Sequence, residues 1–289
     1  MRKRIASLFF VPMLLLTIVA FTPTKALAAA PHSIPHFFLK QGQTPFASNL
    51  TYHGGPVMGE TINVYAIFWE PTGNVETNYN SLIQRYFGDV NGAGLYHNNT
   101  QYHDSTGSQP SAEKFAASWV DTVAYPESPL LDSDIQNEVS RAQQANHWSS
   151  SIDNIFFVFL EANKDLCFDS TLSQCTSNSF CAYHFYFGSN TIYAAMPYAA
   201  SFSCAPGSSP NNNDADQTIN VASHEQMEAA TDPLVNAWYD SSGSEIGDKC
   251  AWKFGKRIFS GGDVVWNKHS YILQKEWDNH KQRCVLSGP

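Results

Sequence analysis

Apolar and polar positions along the chain fall into blocks that predict alternating strands and helices. Residues 61–69 are β-branched and aromatic with little polar interruption, which predicts a buried strand closed by Glu70, Pro71, Thr72 and Gly73. In residues 76–87, Tyr79, Leu82, Ile83, Tyr86 and Phe87 recur at helical spacing. Residues 88–109 are polar and rich in Gly and Asn, so they read as loop, with His97 and His103 at the surface. Residues 132–147 form a second amphipathic helix, and residues 155–160 are apolar on both faces, as in a core strand. Residues 182–187 and 191–198 read as a hairpin across Gly188, Ser189 and Asn190.

The most informative block follows the hairpin. Asp214 or Asp216 can cap a helix that Pro233 stops, with Ile219, Ala222, Ala229 and Ala230 as its apolar or small positions. On it His224 and Glu228, four residues apart, share a face, and Glu225 sits one position round. This is the spacing of the zinc-protease helix H-E-x-x-H with glutamate in place of the second histidine. Imidazole and carboxylate would hold Zn²⁺, and Glu225 would act on a bound water as general base. The chain then returns acids at Asp240, Glu245 and Asp248, within 24 residues of His224. Glu245 or Asp248 would supply the third ligand, the other orienting His224 from behind. Tyr239 is a candidate oxyanion donor, although a Tyr beside Trp238 more often packs. The competing reading is a solvated helix face whose acids follow a histidine by chance.

Residues 1–28 change the compartment. Arg2, Lys3 and Arg4 precede an apolar run too short to span a membrane, and Ala26, Leu27 and Ala28 form an A-x-A cleavage site. The expectation is a secreted protein with its mature start near Ala29, an extended lead-in over residues 29–49 and a single domain over residues 50–289. Removing the four leader cations takes the formal charge from −9 to −13. Such an acidic surface, without a Lys/Arg run, argues against nucleic acid and, after leader cleavage, against anionic membrane as partners. Six cysteines after a leader favour three disulfides; with no C-x-x-C pair, a four-cysteine zinc site is disfavoured. A disulfide at Cys250 would pin the loop that carries Asp248.

Strand, helix, helix, strand, hairpin and then a metal-binding helix is also the order of a zincin domain. The expected fold class is therefore α/β (α+β): a zincin-like mixed twisted sheet backed by helices, with a disulfide-stapled C-terminal part. Residues 50–57, with Tyr52, His53, Gly54, Gly55 and Pro56, and the strand ending in Phe68 and Trp69 resemble the opening of the EXORDIUM or phosphate-induced protein 1 family. The likeness recurs from Thr231 to Tyr239 and spans most of residues 50–284. The resemblance implies a secreted, cell-wall-associated protein linked to growth in plants, here in a bacterial branch with a hydrolase-like helix. Two functions follow. One is a zinc-dependent, peptidase-like hydrolase acting on a peptide or cell-wall substrate. The other is a non-catalytic wall protein whose acids are structural or bind a cation such as Ca²⁺. Glycoside hydrolysis by a pair drawn from Glu225, Glu228 and Asp248 is a third option. His53 reads as structural, and no G-x-S-x-G elbow offers a serine nucleophile.

Overall fold

A computed structural model describes residues 35–41, 48–126 and 128–289. The expected leader, residues 1–28, lies outside them. The framework is one six-stranded mixed sheet built from β1 (Phe37–Leu39), β2 (Thr61–Trp69), β3 (Ala112–Asp121), β4 (Asn154–Leu160), β5 (Phe180–Phe187) and β6 (Thr191–Met196). Its spatial order is β1-β5-β6-β4-β2-β3. β3, β2, β4 and β6 run parallel, whereas β5 is antiparallel to both β6 and β1.

Because side chains alternate across a strand, each central strand feeds two cores. Val64, Ala66, Phe68, Phe157, Phe159, Ala182 and Ala194 face one side, where α1 (Tyr79–Asp89) and α3 (Ala215–Thr231) pack. Ile67, Trp69, Phe156, Val158, Leu160 and Tyr193 face the other, against α2 (Asp132–Asn146) through Ile135, Val139 and Ala142. The two-sided burial explains why β2 and β4 read as continuous apolar runs.

Several sequence expectations need correction. α1 begins three residues later than residue 76, because Asn78 adopts a left-handed φ of 70° that a helix interior does not allow. The stretch read as loop contains a helical turn at Gly94–His97 and a tighter one at Asn98–Gln101. Leu95, Tyr96 and Tyr102 drop into the core from these turns, which is what orders the segment. His97 and His103 are exposed as expected. Strand β3 escaped the pattern because, at the sheet edge, it is mostly half-exposed and its apolar positions are interrupted by Glu113, Lys114 and Ser118. The N-terminal segment read as a lead-in contributes β1, paired with β5.

The six cysteines form Cys167–Cys175, Cys181–Cys204 and Cys250–Cys284. The first closes the polar loop after β4, and the second ties β5 to the approach to α3. The third joins the segment after Asp248 to the C-terminal strand Arg283–Val285. It links residues 34 apart, so by chain entropy alone its removal costs about 4 kcal/mol. A Cys250→Ser/Cys284→Ser double variant is therefore expected to lose that much in urea unfolding. A loss below about 1 kcal/mol would show that the 240–250 loop does not depend on this link.

Candidate metal centre

Every residue of α3 from Thr218 to Thr231 is buried, polar ones included. That excludes a solvated helix face: a helix buried all round must find partners for each polar group it carries. At the amino end Asp214 occupies the capping position, but its carboxylate accepts the Tyr198 hydroxyl. Asp216 is bound to Ser209 and Asn211, and the Ala215 amide donates to the Asn213 side chain instead. In the middle Thr218 meets the Tyr79 hydroxyl and Gln226 accepts the Tyr86 hydroxyl, which fixes the helix on α1. The carboxylates of the motif are treated differently.

His224, Glu225 and Glu228 are fully buried, and so are Glu245 from the following loop and His184 from β5. The His224 Nε2 lies 3.0 Å from Glu228 Oε1 and 3.8 Å from Asp248 Oδ1. His184 shares the face of Ala182 on β5 and so points at α3. Its Nδ1 is 3.5 Å from Glu225 Oε2 and 3.8 Å from Glu228 Oε2, and its Nε2 is 3.8 Å from Glu245 Oε1. Ligand atoms of His224, Glu228 and Asp248 all lie within 4.8 Å of one another, as do those of His184, Glu225 and Glu228, and those of His36, Glu245 and Asp248.

Of the residues proposed from sequence, His224, Glu228 and Asp248 come together. Glu245 faces His184 and also joins His36 and Asp248, so of the two downstream acids only Asp248 belongs to the group of His224 and Glu228. Glu225 turns Oε2 toward His184 and groups with it and Glu228. Tyr239 stacks its ring on His53 at 3.6 Å, while the third returning acid, Asp240, receives the Lys249 ammonium at 3.0 Å. Asp240 thus anchors the loop that carries Glu245 and Asp248.

Four partners were not legible in the sequence. His184 sits 40 positions before His224, within a strand rich in aromatics. Gln274 places its amide nitrogen 2.9 Å from His224 Nδ1 and 3.0 Å from the Gly247 carbonyl, orienting the ring from behind. Phe38 of β1 stacks on the His224 ring at 3.9 Å, and Trp252 stacks on Phe38 in turn. Gly247 approaches so closely that a Cβ there would fall 2.5 Å from His224 Nδ1 and 3.0 Å from Glu228 Oε1. The one signal the sequence offered for Gly247 is its position between the two acids.

Among the described residues, Glu225 and Glu245 have no hydrogen-bond partner on either oxygen, and Glu228 Oε2, His224 Nε2 and His184 Nδ1 have none. The His184 backbone amide faces Glu225, but neither oxygen reaches it in hydrogen-bond geometry. Burial pushes the Glu225 carboxyl up to about 8 and Asp248 to about 7. Burial, reinforced by neighbouring carboxylates, holds Glu228 and Glu245 well above the usual range, and burial pulls the His224 imidazole down. A buried carboxylate with no donor is costly, and one remedy is a metal cation. Imidazole and carboxylate together form a donor set that divalent cations, Zn²⁺ among them, accept.

The chain is similar to Protein EXORDIUM-like 5 of Arabidopsis thaliana, 25% identical over 293 residues that cover 83% of this chain and 78% of that protein. It is likewise similar to Protein EXORDIUM-like 3 of the same plant, 24% identical over 290 residues covering 83% of each. No family model matches the chain. The similarity supports a place among EXORDIUM-like proteins, and the three disulfides are consistent with an oxidising compartment.

Proposed function

We propose that this chain is a secreted EXORDIUM-like protein with a zinc-dependent hydrolase site of the peptidase type. The observation that carries the reading is the convergence of Glu225, Glu228, Glu245, Asp248, His184 and His224 with so many buried oxygens and nitrogens unpaired. His224, Glu228 and Asp248 would hold the ion. Zinc bound there lowers the pKa of a water and polarises a carbonyl. Glu225, an unengaged carboxylate adjoining Glu228, would take the water's proton. The Asp248 side chain keeps 16% of its surface exposed, the one proposed ligand that reaches solvent, and a catalytic ion needs such access. The element order, with a mixed sheet edge beside the site helix, accords with a zincin-like frame by analogy.

Full burial of His224, Glu225 and Glu228 favours a second reading, a closed structural cation in a non-catalytic extracellular protein. Hydrolysis separates the two. Incubation of the mature protein with a mixture of peptides, followed by mass spectrometry, is expected to show zinc-dependent cleavage. Glu225→Gln should lower the cleavage rate by about a hundredfold. Zinc binding without cleavage in the wild-type protein would leave the structural reading standing alone. Equal rates in Glu225→Gln and wild type would remove Glu225 from the chemistry.

A further inference from the structure

We infer that the centre holds two divalent cations, the second bound by His184 Nδ1, Glu225 Oε2 and the outer oxygen of Glu228, so that Glu228 bridges the pair. This rests on the proposed function only in taking Glu228 Oε1 as a ligand of the first ion.

His184 is fixed in the fold by a hydrogen bond to the backbone. Its Nε2 lies 3.2 Å from the Asp232 carbonyl oxygen, which can only accept. In the neutral imidazole the ring proton therefore sits on Nε2, which leaves Nδ1 with a lone pair. A ligating histidine is held in just this way, with its other nitrogen donating to a backbone carbonyl or carboxylate. That lone pair faces Glu225 Oε2 at 3.5 Å and Glu228 Oε2 at 3.8 Å. Three acceptors thus converge in a fully buried space, and none has a hydrogen-bond partner among the described residues. A cation satisfies all three at once, drawing each in to the roughly 2.0–2.2 Å of zinc–nitrogen and zinc–oxygen bonds.

The helix supplies the bridge. Glu228 is four residues after His224 and three after Glu225, so it stands between their faces. Its Oε1 turns to His224 and accepts the Asp248 amide at 3.0 Å; its Oε2 turns to His184. Ions on the two oxygens of one carboxylate fall at the roughly 3.5–4 Å separation of two-metal hydrolases. In that form Glu225 would hold the second ion through Oε2 and keep Oε1 free to take a proton from water. Both roles of Glu225 are then met without a change of position.

The test is zinc content per chain. Mature protein purified from the medium without chelator and dialysed against dilute Zn²⁺ is analysed by plasma mass spectrometry. Two zinc ions per chain are expected in the wild type, one in His184→Gln and one in His224→Gln. One ion in the wild type that His184→Gln retains and His224→Gln loses overturns this inference and leaves the single-ion reading intact. A metal-free wild type overturns both. Should the variants fail to fold, judged by circular dichroism, Co²⁺ titration of the dialysed wild type decides. Absorbance that stops rising at one equivalent overturns the second ion, and an endpoint at two supports it.

Discussion

Chelation is expected to make the protein's stability fall steeply as pH rises from about 4 to 8. In the metal-free fold burial raises Glu225 to about 8 and Asp248 and Asp232 to about 7, and burial, reinforced by neighbouring carboxylates, holds Glu228 and Glu245 well above the usual carboxylate range. In the unfolded chain the same groups titrate near about 4. Between these limits the native state binds more protons than the unfolded one, so stability declines with rising pH. The stabilising protons are fully bound below the unfolded values and are lost through the folded ones. Each tenfold gain in proton affinity on folding is worth about 1.4 kcal/mol, so several such groups amount to a large part of a domain's roughly 5–15 kcal/mol. Zinc replaces those protons, so the bound form should hold its stability at pH 8 and depend on pH much less. Thermal melts at pH 5 and pH 8, with EDTA and with zinc, check this. A chelated protein as stable at pH 8 as at pH 5 would show that the acids are satisfied without a cation.

Gly247→Ala is the second large effect expected. Gly247 is not left-handed; its φ is −77°, so what a side chain lacks there is space. A Cβ would stand 2.5 Å from His224 Nδ1 and 2.8 Å from Cε1, and its third neighbour is Glu228 Oε1. His224 cannot yield easily, because Phe38 is stacked on its ring and Gln274 sits against Nδ1. The substitution should cost about 1–3 kcal/mol, as overpacking of a tight core does. It should also lower zinc affinity more than tenfold by turning the imidazole away from Glu228. Gly88→Ala is the control: a Cβ at Gly88, inside α1, meets nothing within 4 Å, and helix propensity favours alanine by about 0.5–1 kcal/mol. Equal behaviour of the two variants in urea unfolding and zinc titration would mean that the site tolerates displacement of His224.

The site helix was legible because its signals are local. His224, Glu225 and Glu228 declare their shared face by spacing alone, and Pro233 marks the end of the run. The downstream acids were visible as a cluster, but their division between His224 and His184 was not. That division depends on how the 240–250 loop folds over α3, held by Asp240 on Lys249 and by the Cys250–Cys284 link. His184 could not be found from spacing: it reaches the helix through sheet pairing and the alternation of β5, which are tertiary facts. Phe38 was hidden for the same reason, since a short apolar stretch among prolines gives no sign that it will join a sheet edge. In the fold, β2, β4 and the β5–β6 hairpin stood out by their apolar runs, whereas the half-exposed edge strand β3 lacked one.

Whether a cation sits between His224 and Glu228 decides the rest. Diffraction from zinc-soaked crystals of the mature protein, collected on both sides of the zinc absorption edge, tests it most directly. The expected result is an anomalous peak bounded by His224 Nε2, Glu228 Oε1 and Asp248 Oδ1. Ordered side chains in these positions with no anomalous signal between them would contradict it.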